Sequence, residues 1–289
     1  MKFLSGLLLL GLLAQPLYAQ ESRPQTADEA LSQLHSSVLK TLIDGNQRFR
    51  EQNMRVCAEG SKKNLREQLA KGQKPYAIIL SCSDSRVPPE LIFDQSPGDI
   101  FVIRVAGNTF DPIILGSIEY AAEHLGTPLI MVLGHERCGA VTATVKSGGH
   151  GEGNIGSIVD AIAPAVDIAK NKSVNLSEAE LVESSIDENV HLVARKLFEK
   201  SPIVRHLVEA KKVKIVEAKY DLDDGKVSYF TEQKFEYKKP QEPVHQEEKV
   251  EKTEKAPEKK KIIIRKKVTE VKEEESAPAS ETHEAPKAH

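Results

Sequence analysis

Residues 76–86 read Tyr-Ala-Ile-Ile-Leu-Ser-Cys-Ser-Asp-Ser-Arg, and residues 129–139 read Leu-Ile-Met-Val-Leu-Gly-His-Glu-Arg-Cys-Gly. Each opens on a short apolar run rich in branched side chains, the pattern of a strand buried on both faces, and each closes on reactive polar residues. A third run of this kind, Ile100 to Val105, lies between them behind Pro97-Gly98-Asp99. Helical spacing occupies the intervals, around Ile113 to Leu125 and Ala140 to Val145. Strands alternating with helices predict an α/β fold with a mainly parallel sheet and crossover helices.

Further out, Val213 to Tyr220 reads as a fourth strand. Asp223-Asp224-Gly225 then turns the chain into Lys226 to Phe230, a hairpin that adds an antiparallel edge strand. The central sheet is thus expected to hold about four strands plus that edge, flanked by helices. Amphipathic spacing marks helices over Ala27 to Asn53 (Ala30, Leu31, Leu34, Val38, Leu42, Ile43, Phe49), Lys62 to Lys71, Ile155 to Lys170 and Glu178 to Ala210, the last broken at Pro202. No internal repeat is visible.

The 289 residues are 39% hydrophobic, 5% aromatic and 29% charged, with no Trp. The apolar shortfall is local. Residues 240–289 contain no Gly, Phe, Tyr, Trp or Cys and carry 11 basic against 12 acidic residues, a Lys/Glu/Pro-rich tail expected to be disordered. Its one apolar island, Ile262-Ile263-Ile264 with Val268 and Val271, reads as a transient element that does not dock, the alternative being a binding segment for an unknown partner or envelope component. At the other end, Lys2, an apolar run from Leu7 to Leu13 and Leu-Tyr-Ala ending at Ala19 follow the order of a signal peptide. The run is short for a membrane span of about 20 residues and Pro16 interrupts it. The expected division is therefore a signal peptide over 1–19, a folded domain over 20–239 and the tail over 240–289. The protein is expected to be exported, periplasmic in a Gram-negative bacterium and secreted otherwise. Residues 20–239 hold 28 basic and 31 acidic side chains, without the basic excess that nucleic-acid binding requires. Three cysteines are too few and too scattered for a disulfide scaffold.

Cys82 and the pair His135 and Cys138 follow the first and third strand runs, at the sheet edge where open α/β folds bind ligands, so residues 53 positions apart can meet. Two thiolates and an imidazole suit zinc, and three ligands leave a position for water or substrate. Cys57 belongs to neither segment and reads as a bystander. Gly148 to Gly153 lacks the ending of a phosphate loop and reads as a flexible connection, with His150 a solvated loop histidine.

With these residues in place, the chain resembles the β-class carbonic anhydrases. The Cys-x-Asp-Ser-Arg and His-x-x-Cys-Gly segments match that family's zinc motifs in order and separation. Asn46-Gln47-Arg48-Phe49, Gly72-Gln73, Pro97-Gly98-Asp99 and Ser117-Ile118-Glu119-Tyr120 are similar to further family signatures, so the resemblance runs from about residue 35 to 235. It implies that Cys82, His135 and Cys138 bind one zinc per subunit and that Asp84 and Arg86 form a catalytic dyad. It further implies that Gln73, Phe101, Tyr120 and Gly139 contact or line the site of carbon dioxide and bicarbonate, and that the chain forms a homodimer or higher homo-oligomer. Family members commonly carry Asn at the place of Val105.

The physical reading is compatible. Zinc acidifies its water, and the resulting zinc-bound hydroxide attacks carbon dioxide to give bicarbonate and a proton, with no organic cofactor. Other readings stay open at this point: hydrolysis of carbon disulfide or carbonyl sulfide on the same zinc, nucleophilic catalysis by Cys82 or Cys138 with His135 as base, and a zinc-stabilised binding module without catalysis.

Overall fold

The computed structural model describes residues 26–56, 63–232 and 234–237. The expected signal peptide, Cys57 and the expected tail with its isoleucine island lie outside the described residues. In chain order the elements are α1 (Ala27–Arg50), α2 (Lys63–Leu69), β1 (Ala77–Ser81), α3 (Pro89–Ile92), β2 (Ile100–Arg104), α4 (Pro112–Glu119), β3 (Leu129–His135), α5 (Gly139–Lys146), α6 (Ile155–Lys172), α7 (Glu178–Lys200), α8 (Pro202–Glu209), β4 (Lys214–Tyr220) and β5 (Val227–Tyr229). A 3-10 turn over Ala106–Asn108 follows β2, and a π-turn over Tyr120–His124 extends α4.

The five strands form one sheet in the order β2-β1-β3-β4-β5. The first four are parallel and β5 is antiparallel to β4, as the alternation and the hairpin predict. Every residue of β1 and β3 is buried, which explains their unbroken apolar runs. β2 differs from the expectation of burial on both faces: only Ile103 is buried in it, because among the described residues β2 pairs with β1 alone and forms the sheet's outer edge. Side chains alternate across the sheet, so Ala77, Ile79, Met131 and Leu133 enter one apolar layer with α1, α5 and α6. Ile78, Leu80, Ile130 and Val132 enter the other with α7 and α8.

α1 begins with a capping box in which Thr26 and Glu29 satisfy each other's backbone amides. The face it buries is His35, Val38, Leu42, Gly45 and Asn46, whereas Leu34 and Ile43, expected in the apolar stripe, are exposed. Asn46 turns the helix this way. Its amide donates to the carbonyls of Ile92 and Gly225 at 3.2 and 2.8 Å, and its oxygen accepts from Val227 N–H at 2.9 Å, fastening α1 to α3 and to the β4–β5 hairpin. The break at Pro202 is as expected: Ser201 ends α7 and caps α8 by accepting from Val204 N–H, and Pro202 takes the first turn, where no amide is needed.

α7 packs on β3 without space to spare. A Cβ at Gly134 would stand 2.5 Å from Cγ2 of Val190, so only glycine allows the helix to approach the strand that ends at His135. Among the described residues no helix is long and apolar enough to cross a membrane.

Candidate metal centre

Parallel strands deliver their carboxyl ends to one edge of the sheet, and three of the predicted residues meet there. Cys82 follows β1, His135 ends β3, and Cys138 is the N-cap of α5; their ligand atoms lie within 4.8 Å of one another. All three side chains are buried. His135 Nδ1 lies 2.8 Å from the carbonyl of Glu136 and donates to it, which leaves Nε2 as an acceptor. That Nε2 is buried and has no hydrogen-bond partner. A buried imidazole nitrogen facing two sulfurs with nothing to bond is the arrangement a metal ion completes, and two thiolates with one imidazole fit zinc.

Hydrogen bonding from Cys138 and from the Gly107 amide lowers the Cys82 pKa against the effect of burial. Cys138 is pushed up by that same hydrogen bond to Cys82 and by burial. The Gly107 N–H donates to Cys82 Sγ at 3.3 Å.

Asp84 and Arg86 form a fork. Arg86 Nε and Nη2 donate to Oδ1 and Oδ2 of Asp84 at 2.9 and 2.7 Å, and the Arg86 amide adds a third bond at 3.0 Å. The hydrogen bond from the guanidinium holds the Asp84 carboxyl well below the usual carboxylate range. Asp84 Oδ2 is 3.9 Å from His135 Nε2, so the carboxylate stands beside the ligand set while paired to arginine.

Residues without an assigned role in the sequence reading hold this constellation. Arg104, at the end of β2, donates from Nε to the carbonyl of Cys82 at 3.0 Å and from Nη2 to that of Asp84, gripping the turn between ligand and carboxylate. Arg137, between the two ligands of the second segment, adopts φ +50°, which a bulky residue rarely takes. It is pinned by Glu183 Oε1 on its amide at 2.8 Å and by Asp223 on its guanidinium at 2.9 and 3.1 Å. The Arg137 carbonyl accepts from Arg86 at 3.3 Å.

Of the remaining predicted residues, Gly139 adjoins this cluster and Gln73 stands away from it. Gln73 is exposed and precedes β1, at the amino end of the sheet. The five residues of β1 span roughly 16 Å at about 3.3 Å each, so a chain does not bring Gln73 to its own Cys82. Phe101 lies in β2 opposite Ile78 and is half-buried against the layer that holds α7. Tyr120 is 47% exposed. Gly139 is the first residue of α5, exposed beside Cys138. Val105, at the position commonly Asn in the family, packs its side chain on the apolar layer with Ile78 and Leu80.

The family model described as carbonic anhydrase matches residues 77–227. Carbonic anhydrase 2 of Mycobacterium tuberculosis is 38% identical over 193 residues, which cover 65% of this chain and 88% of that one. The solved β-carbonic anhydrase CcaA is 28% identical with a TM-score of 0.56, covering 67% of this chain and 95% of its own. The Coccomyxa β-carbonic anhydrase, solved in complex with acetazolamide, is 25% identical with a TM-score of 0.54, over 66% and 85%.

Proposed function

The chain belongs to the β-carbonic anhydrase family, and from that membership we propose that it catalyses the reversible hydration of carbon dioxide to bicarbonate and a proton at Cys82, His135 and Cys138. The observation that carries the reading is the three-donor centre with an unpartnered Nε2, flanked by a carboxylate already committed to arginine. Zinc held by those donors, one per subunit, would supply the Lewis acidity that makes water nucleophilic; two thiolates would cancel its formal charge and so leave that acidity weaker than at a three-imidazole site. Asp84, ionised and held in orientation by Arg86, can accept a hydrogen bond but not donate one, so it would orient the attacking O–H with its lone pair free for carbon. The helix N-terminus at Cys138 favours the thiolate form of that ligand.

A second copy of the chain is part of the proposal. Supporting it are the unpaired outer edge of β2, the exposure of Ile113 (79%) and Tyr120 (47%), and the placement of Gln73 away from its own chain's centre. Residues 1–19 support export. Stopped-flow hydration of carbon dioxide by the zinc-loaded mature chain tests the activity, and light scattering its assembly. A chain that holds one zinc yet does not accelerate hydration would overturn the reading.

A further inference from the structure

The Gly107 peptide is the donor that reaches the sulfur of Cys82, and glycine is the residue least able to hold a peptide still. Its φ is +69°, in the left-handed region that disfavours a side chain, and a Cβ would stand 2.6 Å from Cδ1 of Ile162 and 3.3 Å from Cβ of Ala140. The N–H that faces sulfur and the carbonyl of the same residue belong to successive peptides, linked by the two soft torsions of Gly107. That carbonyl accepts from Asn189 Nδ2 at 2.8 Å. Asn189 is 1% exposed in the middle of α7, and its neighbour Val190 is the side chain lodged against Gly134, one residue before His135.

We propose that Asn189 is a positioning residue for the metal centre: it fixes the carbonyl of Gly107, keeps that residue in its left-handed conformation, and so keeps the N–H on Cys82 sulfur. One turn of α7 thereby ties the strand bearing His135 to the sulfur supplied by β1. A donor on a thiolate withdraws electron density from it and holds it in place, so Asn189 acts on both the strength and the electronic character of the Cys82 bond to metal. The inference rests on the zinc reading of the centre and is independent of which substrate is turned over.

The test uses the full mature chain with Asn189→Ala and the volume-keeping Asn189→Leu. Zinc affinity is read by chelator competition, and the thiolate-to-metal charge-transfer band is read on the cobalt(II)-loaded protein. Zinc should bind about 10- to 100-fold more weakly, the range for lost outer partners of a metal ligand. The cobalt band should move to longer wavelength as the sulfur becomes the stronger donor. Ser185→Ala supplies the control for burial alone, since Ser185 is fully buried in the same helix and bonds only the carbonyl of Leu181. It should lower the melting temperature and leave affinity and band unmoved. Wild-type affinity and band position in either folded Asn189 variant, or the same shifts in Ser185→Ala, would overturn the proposal. Zinc binding by the wild type without hydration would count against the activity alone, whereas normal hydration with an unmoved band in Asn189→Leu would count against this inference alone.

Discussion

Arg86→Ala should slow hydration by about an order of magnitude, by the same factor at every pH from 6 to 9, with zinc still bound. Three hydrogen bonds from Arg86 reach the Asp84 carboxylate, and the substitution removes the two from the guanidinium while keeping the amide. The guanidinium is 51% exposed, so the pair is worth less than a buried fork, about 1–2 kcal/mol after screening by solvent. At 1.36 kcal/mol per tenfold, that energy leaves the carboxylate in its productive rotamer roughly 5 to 30 times less often. Its charge is not at stake above pH 6. The Asp84 pKa lies below its ordinary 3.8 because of the Arg86 bond, and losing that bond lets it rise toward 3.8, where it is still fully ionised. Asp84→Asn should lose more, since the amide carries no charge and offers a poorer acceptor. The freed carboxylate of Arg86→Ala, with Oδ2 3.9 Å from His135 Nε2, is also close enough to swing toward the ligand set and block it. The double variant should then be no worse than Asp84→Asn alone. Stopped-flow rates against pH beside zinc analysis decide the matter. Near-native rates in either single variant, or a deficit of Arg86→Ala confined to low pH, would refute the orientation argument.

Replacing Cys82, His135 or Cys138 by Ala should abolish both zinc and activity, and full zinc occupancy by atomic absorption in any of them would remove that residue from the ligand set. Away from the site, hydrogen bonding to buried Glu217 raises the His191 pKa above its ordinary 6.5. The pair's stabilisation is complete below 6.5 and is lost as pH rises through the raised value. The melting-temperature gap between wild type and His191→Gln should therefore narrow from pH 6 to 9; a constant gap would be contrary to the linkage. Truncation after Lys239 should leave hydration and melting temperature nearly unchanged, because residues 240–289 are too poor in apolar side chains to order themselves; a drop of several degrees in a thermal scan would show that they dock on the domain.

Strand identity was readable because burial on both faces writes a continuous apolar run, and β1 and β3 carry such runs from Ala77 to Leu80 and Leu129 to Leu133. Strand order was not. Ile100 to Ile103 is as apolar as a central strand, yet β2 is an edge with neighbours on one side, and a run of side chains does not record how many strands flank it. The buried face of α1 was misjudged for a related reason. Periodicity ranks Leu34 and Ile43 above Asn46, but one asparagine with three hydrogen bonds to distant backbone fixes the rotation of the helix more firmly than two leucine-like contacts.

The centre divides in the same way. Its proposed ligands and dyad are concentrated in residues 82–86 and 135–138, each within a few positions of a strand end, so local pattern suffices to propose them. The groups that aim them are scattered: Arg104 on the next strand, and Glu183 and Asn189 on a helix that starts some 40 residues after Cys138. Asn189 did leave a trace, standing on the stripe of Val182, Ile186, Val190, Val193 and Leu197 where a polar residue must find a hydrogen-bond partner. Its partner is the carbonyl of Gly107, 82 positions away, and a backbone carbonyl has no residue type by which to be recognised. Ligand chemistry is therefore legible from side-chain identity, whereas the geometry that tunes it passes through main-chain groups and becomes visible only once the sheet has brought β1, β3 and α7 together.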